Sequence, residues 1–287
     1  MKTITPFVAA SLFTSLVGGT ACTPGDTDPK GDPQEIAIPF VARVGDEAFA
    51  CGDSYAGIGK DAVTITPGDL RFYVFDVTVI DDAGNDVAVT LVDDTFQKDG
   101  AALLDFEDGT GACDTGSPDV NTAIRGTIPA GTTMTAVRFT IGLPERLNHL
   151  DATVAEAPFN IPSMWWAWAS GYKFMKIEAI NDADDVTYFH QGSTGCDGTP
   201  ADGFTCAYAN RATVELALTS AQDIALDIKP LFADVDVEAP LAEGNGLRGC
   251  MSFGGDPDCA SMFGAVGITY EDGEGAPTQA VFSATSR

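Results

Sequence analysis

From Glu35 onward, hydrophobic positions alternate with polar or small ones at a period of two. Ile36, Ile38 and Phe40 share one face of an extended segment. Phe72, Val74 and the run to Val79-Ile80 form a β-branched, aromatic strand. Asp81-Asp82-Ala83-Gly84-Asn85-Asp86 is a turn, and residues 87–92 return as the partner strand. Further strands are expected over 121–128, 133–141, 172–181, 186–189, 213–218 and 224–228. Turns such as Pro129-Ala130-Gly131 and Asp182-Ala183-Asp184 separate them. Helical periodicity is scarce, with only short helical turns expected in 230–237 and 259–263. Many short strands without internal repeats specify an all-β fold, an antiparallel β-sandwich.

The first 34 residues depart from this pattern. Lys2 provides a positive start, Pro6 to Val17 a short apolar run, and Gly18-Gly19-Thr20-Ala21 a small-residue lead into Cys22. That run is too short to span a bilayer, so 1–21 reads as an export signal. The small residues before Cys22 resemble a bacterial lipoprotein cleavage site, although Gly19 stands where Leu is usual. Ordinary signal-peptidase cleavage near Ala21 is the competing reading. Residues 22–34, rich in Pro, Gly and Asp, form a tether, and 35–287 form a single sandwich domain. Lipidation at Cys22 places the protein in the periplasm or on the cell surface, anchored to the outer membrane.

Cysteine usage is consistent with export. Of seven cysteines, setting Cys22 aside leaves six; sequence alone allows fifteen pairings, and proximity favours Cys196–Cys206 and Cys250–Cys259 as loop staples, leaving Cys51 with Cys113. No Cys-x-x-Cys spacing indicates zinc. The chain carries 42 acidic against 15 basic residues, a net charge of −27. That balance excludes nucleic acid as a partner and disfavours anionic membrane surfaces, leaving contact with a membrane only through the anchor.

The densest chemistry lies in Ser163 to Glu178. All three tryptophans, Trp165, Trp166 and Trp168, fall here, and the only two histidines, His149 and His190, flank the segment. Tryptophan is readily oxidised and imidazole is a borderline ligand for copper or zinc, so the clustering suggests a redox-metal site. Two imidazoles are too few for a closed zinc site, whereas copper tolerates two histidines with weaker donors. Met164, Met175 and Met251 are possible thioether ligands, although methionine is more often filler. On a strand, Trp166 and Trp168 face one way and Trp165 the other. The bland alternative is an aromatic core face with no metal. The acidic turns 81–86 and 181–185 lack the spaced Asp-x-Asp-x-Asp-Gly pattern of calcium loops. No Gly-x-Ser-x-Gly or His-Glu-x-x-His marks a hydrolase, and Ser193 reads as part of a turn that orients His190.

Several blocks together resemble the MbnP-like copper-binding family, the four-cysteine members of a "metallo-mystery pair". They are Phe49-Ala50-Cys51-Gly52, Asn121 to Gly126, Gly142-Leu143-Pro144 with Asn148-His149-Leu150-Asp151, the tryptophan segment, Phe189-His190-Gln191-Gly192-Ser193-Thr194-Gly195-Cys196, and Cys250 to Cys259. The resemblance implies an exported, non-enzymatic β-sandwich that binds copper through His149 and His190. It further implies a di-haem cytochrome c peroxidase-like partner that oxidises a tryptophan, Trp166 or Trp168, to kynurenine, with Trp165 left as a packing residue. The alternative is a structural or adhesive β-sandwich lipoprotein without a metal.

Overall fold

Two sheets pack face to face in this computed structural model, which describes Met1, residues 31–238, 248–256, 258–270 and 278–287. The expected signal, the lipidation at Cys22 and most of the tether lie outside the described residues. From Gly31 onward the chain is one compact unit. Among the described residues no helix is long and apolar enough to cross a membrane.

The smaller sheet runs Phe282–Ser286, Gln222–Asp227, Gln34–Val44, Ala123–Ile128 and Thr90–Leu91, with Glu47–Ala48 beside Gln34–Val44. The larger is built around Val63–Asp81, in the order Ala212–Ala217, Met134–Ile141, Val63–Asp81, Met175–Asn181, Val186–Gln191 and Arg248–Cys250. Among the described residues the sandwich is antiparallel as expected, with two parallel pairings added to it. Gln34–Val44 pairs with Gln222–Asp227, and Val186–Gln191 with Arg248–Cys250. Both join strands distant in sequence, as parallel pairs must, since no hairpin can connect them.

Val63–Asp81 is much longer than the expected strand starting at Phe72. Pro67 and Gly68 interrupt its alternation. The ladder accommodates them where Glu178 faces Asp69 but Ala179 faces Pro67, leaving Gly68 as an extra residue at the bulge. The partner of its far end is also shorter than expected. Asp86–Ala88 pairs with Val63–Asp81, whereas Thr90–Leu91 has already crossed to the smaller sheet. Likewise 172–181 divides into Gly171–Tyr172 and Met175–Asn181. The two acidic turns are Asx turns. The Asp81 carboxylate accepts from the amides of Ala83 and Asn85, and the Asn181 side-chain oxygen accepts from those of Ala183 and Asp185.

Between the sheets lies an aromatic core in which Phe40 meets Phe72 and Phe139 at 5.8 and 5.7 Å, while Phe282 meets the same two rings at 5.8 and 5.5 Å. Alternation sends Leu70, Phe72 and Val74 into this core and Asp69, Arg71 and Tyr73 to the opposite face. That outer face is not solvated. A second apolar cluster, including Tyr73, Leu103, Phe159, Met164, Tyr172 and Phe174, covers part of it. The excursion from Gly142 to Phe174 therefore lies across the outer face of the larger sheet, and it carries His149 and the tryptophans. The described cysteines form Cys51–Cys113, Cys196–Cys206 and Cys250–Cys259.

Candidate metal centre

His149 terminates the short helix Glu145–Asn148, which starts after Pro144. Its Nδ1 lies 2.7 Å from the Trp168 carbonyl oxygen. A carbonyl only accepts, so Nδ1 carries the proton and Nε2 presents its lone pair. Asn148 independently favours the same tautomer. Its side-chain oxygen accepts from the Tyr172 amide at 3.0 Å, which turns its NH2 toward His149 Nε2 at 3.2 Å. Glu145 Oε1 stands 3.1 Å from the same Nε2, and Cys206 Sγ 3.5 Å from it. Two lone-pair donors thus converge with no proton assigned between them. A cation placed between Nε2 and the carboxylate would satisfy both.

The imidazole side chain is 5 % exposed and stacks on Phe204, with ring centroids 4.2 Å apart. Phe204 comes from the hairpin of Thr194–Thr199 and Gly203–Tyr208, and its ring also meets Trp168 at 5.7 Å. An open cavity of about 540 Å³ adjoins this cluster and is lined by Glu145, His149, Asp151, Trp168 and Phe204, among others. Arg211 binds the outer oxygen of Glu145 at 2.9 Å and fixes that carboxylate in place.

His190 occupies a different environment. It stands in Val186–Gln191 opposite Lys176, which in turn stands opposite Arg71, and Arg71 opposite Asp105. This row across the outer face is buried and charged. Asp69 pairs with both Arg71 and Lys176, Glu107 with Arg71 at 2.9 Å, and Glu178 with Lys176 at 3.0 Å. Burial and the nearby Asp69 charge push Glu107 up to about 7, and burial pushes Asp105 up to about 6. Against its own desolvation, Glu178 is drawn down to about 2 by the His190 hydrogen bond and the Lys176 charge. Burial lowers the His190 pKa. A neutral ring beside an ionised carboxylate donates its Nε2 proton to Glu178 Oε1, at 2.9 Å, and leaves Nδ1 with the lone pair. Nδ1 is buried and has no hydrogen-bond partner among the described residues.

Among the described residues no hydrogen bond or ring contact joins the two histidines. The tryptophans divide accordingly. The strand ends at Ala167, and a turn closed by the Ser170 amide on the Ala167 carbonyl follows. The period-two reading that gave Trp166 and Trp168 a common face therefore fails beyond Ala167. Trp168 is 46 % exposed and lines the His149 cavity. Trp166 lies over Gly192 and near Phe253, at 6.1 Å, and lines a separate hollow with Ser170 and Cys196. Gly192 follows directly on the strand Val186–Gln191 that carries His190. Trp165 packs against the second apolar cluster.

Of the three possible thioether ligands, Met164 and Met175 are packing residues in this structure, and Met251 is half-buried outside both apolar clusters. Met164 is fully buried in the outer cluster and Met175 in the inter-sheet core. Met175 precedes Lys176 on its strand, so it faces away from His190. Ser193 is buried and donates to the Ala209 carbonyl at 2.9 Å, a turn-holding role.

Glu145, Asn148, Phe204 and Glu178 complete the two histidine environments, and sequence reasoning did not single them out. Glu145 had a readable signal, since it precedes His149 by one helical turn. Phe204 and Glu178 reach the histidines only through hairpin and sheet pairing.

Comparison with known proteins places this geometry in a family. No curated protein matches the chain in sequence. The solved structure of MbnP from Methylosinus trichosporium superposes with a TM-score of 0.80 at 27% identity, covering 89% of this chain and 99% of that one. The family model of MbnP matches residues 33–252. With most of its length matched, including both histidines, the tryptophan segment and five of the six bonded cysteines, this chain belongs to the MbnP family.

Proposed function

We propose that this chain is an exported, non-enzymatic copper-binding protein, with His149 and His190 as its imidazole ligands. One observation carries the reading. Each of the only two histidines has one ring nitrogen committed to an oxygen acceptor and the other left with its lone pair. Such outer hydrogen bonds orient and strengthen metal-binding imidazoles. The unpartnered buried Nδ1 of His190 fits the same role. Glu145 would supply an oxygen donor beside His149. Copper would contribute a soft-to-borderline cation that imidazole holds well.

Trp168 is the residue we assign to oxidation by a di-haem peroxidase-like partner, because its ring lines the His149 cavity and its carbonyl orients that imidazole. Kynurenine there would add an aromatic amine and a ketone beside Nε2. Residence in the periplasm or on the cell surface, with an anchor at Cys22, is part of the same reading.

Copper titration of His149→Ala and His190→Ala, read by a competing chromophoric chelator, tests the site. Each substitution should weaken binding at least tenfold, about 1.4 kcal/mol or more, while thermal unfolding stays cooperative. Unchanged affinity in the double variant would eliminate the site.

A further inference from the structure

The Cys196–Cys206 disulfide lies beside His149, and the other two disulfides do not share this setting. Cys206 Sγ is 3.5 Å from His149 Nε2 and 3.4 Å from Glu145 Oε1. The His149 ring nitrogen and both sulfurs of the bridge lie within 4.8 Å of one another. Cys51, Cys113, Cys250 and Cys259 are at most 3 % exposed, whereas Cys196 and Cys206 are only partly buried. A reductant in solution reaches an accessible sulfur first, since exchange requires direct attack on it.

Reduction would leave the hairpin in place. Cys196 and Cys206 face each other across Thr194–Thr199 and Gly203–Tyr208, and pairs on either side, Thr194 with Tyr208 and Asp197 with Thr205, continue the ladder. Phe204 holds the same hairpin against His149 and Trp168. The freed sulfurs would therefore stay beside an imidazole whose Nε2 lone pair already points toward them.

We infer that Cys196–Cys206 is a redox gate. Its two-electron reduction by a dithiol reductant creates, with His149, a soft-metal site of two thiolates and one imidazole that selects Cu(I). The dithiol gives two electrons and two protons to the bridge and itself becomes a disulfide, leaving Cys196 and Cys206 as thiols. Cu(I) then displaces the two thiol protons and accepts the Nε2 lone pair, with no change in its oxidation state. Thiolate donors favour Cu(I) over harder cations, so reduction changes both the affinity and the preferred metal. This inference rests on His149 being a ligand, as proposed above, and adds sulfur to that site only in the reduced state.

The test uses the mature protein, purified oxidised and then treated anaerobically with graded dithiothreitol that is removed before metal is added. Alkylation and peptide mapping should show Cys196 and Cys206 labelled before any of the other four. Competition with bathocuproine disulfonate should show Cu(I) binding at least 100-fold tighter after this partial reduction, and X-ray absorption should show sulfur in the copper shell. The gain should vanish in the Cys196→Ser/Cys206→Ser double variant. It should vanish equally in wild-type protein whose two freed thiols have been alkylated, a check that does not depend on the variant folding. His149→Ala should lose most of the gain. Free Cys196 and Cys206 with no gain in affinity, or a full gain in His149→Ala, would overturn the inference. Copper binding by the oxidised protein tests the earlier proposal separately. Its loss with the reduced-state gain intact would sink that reading and leave this one standing.

Discussion

Replacing Glu107 by Gln should remove a pH dependence that runs opposite to ordinary acid denaturation. Glu107 is fully buried, with one oxygen 2.9 Å from Arg71, and shares Arg71 with Asp69. The local row holds four carboxylates, Asp69, Asp105, Glu107 and Glu178, against Arg71 and Lys176, so full ionisation leaves excess negative charge in a desolvated layer. Burial therefore raises Glu107 from its ordinary 4.5 to about 7 in the folded protein. A carboxyl with a raised folded pKa contributes stability that is fully present below 4.5 and is lost as pH rises through about 7. The shift sets a ceiling of about 3 kcal/mol on this term. For a domain of this size that corresponds to roughly 6–12 °C in Tm. Circular-dichroism melts from pH 5 to 8.5 should show the Tm difference between wild type and Glu107→Gln varying with pH. The wild type should lose its relative advantage as pH rises toward 8. Parallel Tm profiles across that range would refute the argument, because Gln keeps the shape and removes only the titration.

Three further outcomes follow from the same geometry. Gly192→Ala would drive a Cβ into the Trp166 ring and set it 2.8 Å from the Tyr172 carbonyl oxygen. The overpacking should cost about 1–3 kcal/mol and shift tryptophan fluorescence, and an unaltered Tm would contradict the close packing. Glu178→Ala frees the His190 ring from its acceptor and should weaken copper binding about 10–100-fold, which the chelator competition used for the histidine variants would measure. Co-expression with a di-haem peroxidase-like partner should add about 4 Da to the peptide containing Met164–Lys173, the balance of one carbon lost and one oxygen gained. Trp168→Phe should abolish that gain and Trp165→Phe should not, and retention of the gain in Trp168→Phe would move the assignment to Trp166.

Local pattern made much of this fold legible, and long-range pairing explains most of what it missed. Residues 137–141 and Ala212–Ala217 alternate because one face meets the core and the other faces outward. Ala101–Asp105 is buried at every position, so it shows no alternation and escapes a period-two reading. The Thr194–Thr199 and Gly203–Tyr208 hairpin is mostly polar or small and reads as loop. Its Phe204 nevertheless supplies the stacking surface for His149. The histidines themselves were visible through family motifs. Their partners were not, because Glu178 meets His190 only once the sheet register is set. The tryptophan faces were misread for a local reason, since the strand ends one residue before Trp168.

The parallel pairing of Gln34–Val44 with Gln222–Asp227 has a consequence for how the chain becomes a folded protein. Phe40, on the first strand of the described fold to leave the ribosome, has its ladder neighbour at Ile224. Antiparallel pairing with Ala123–Ile128 can cover one edge of that strand earlier, but the other edge waits until most of the chain has emerged. During that interval the edge is a template for strand addition from another chain. A fold organised this way completes itself only after its late strands have been made, and a chaperone that shields one exposed strand edge would serve it better than one that encloses a whole domain.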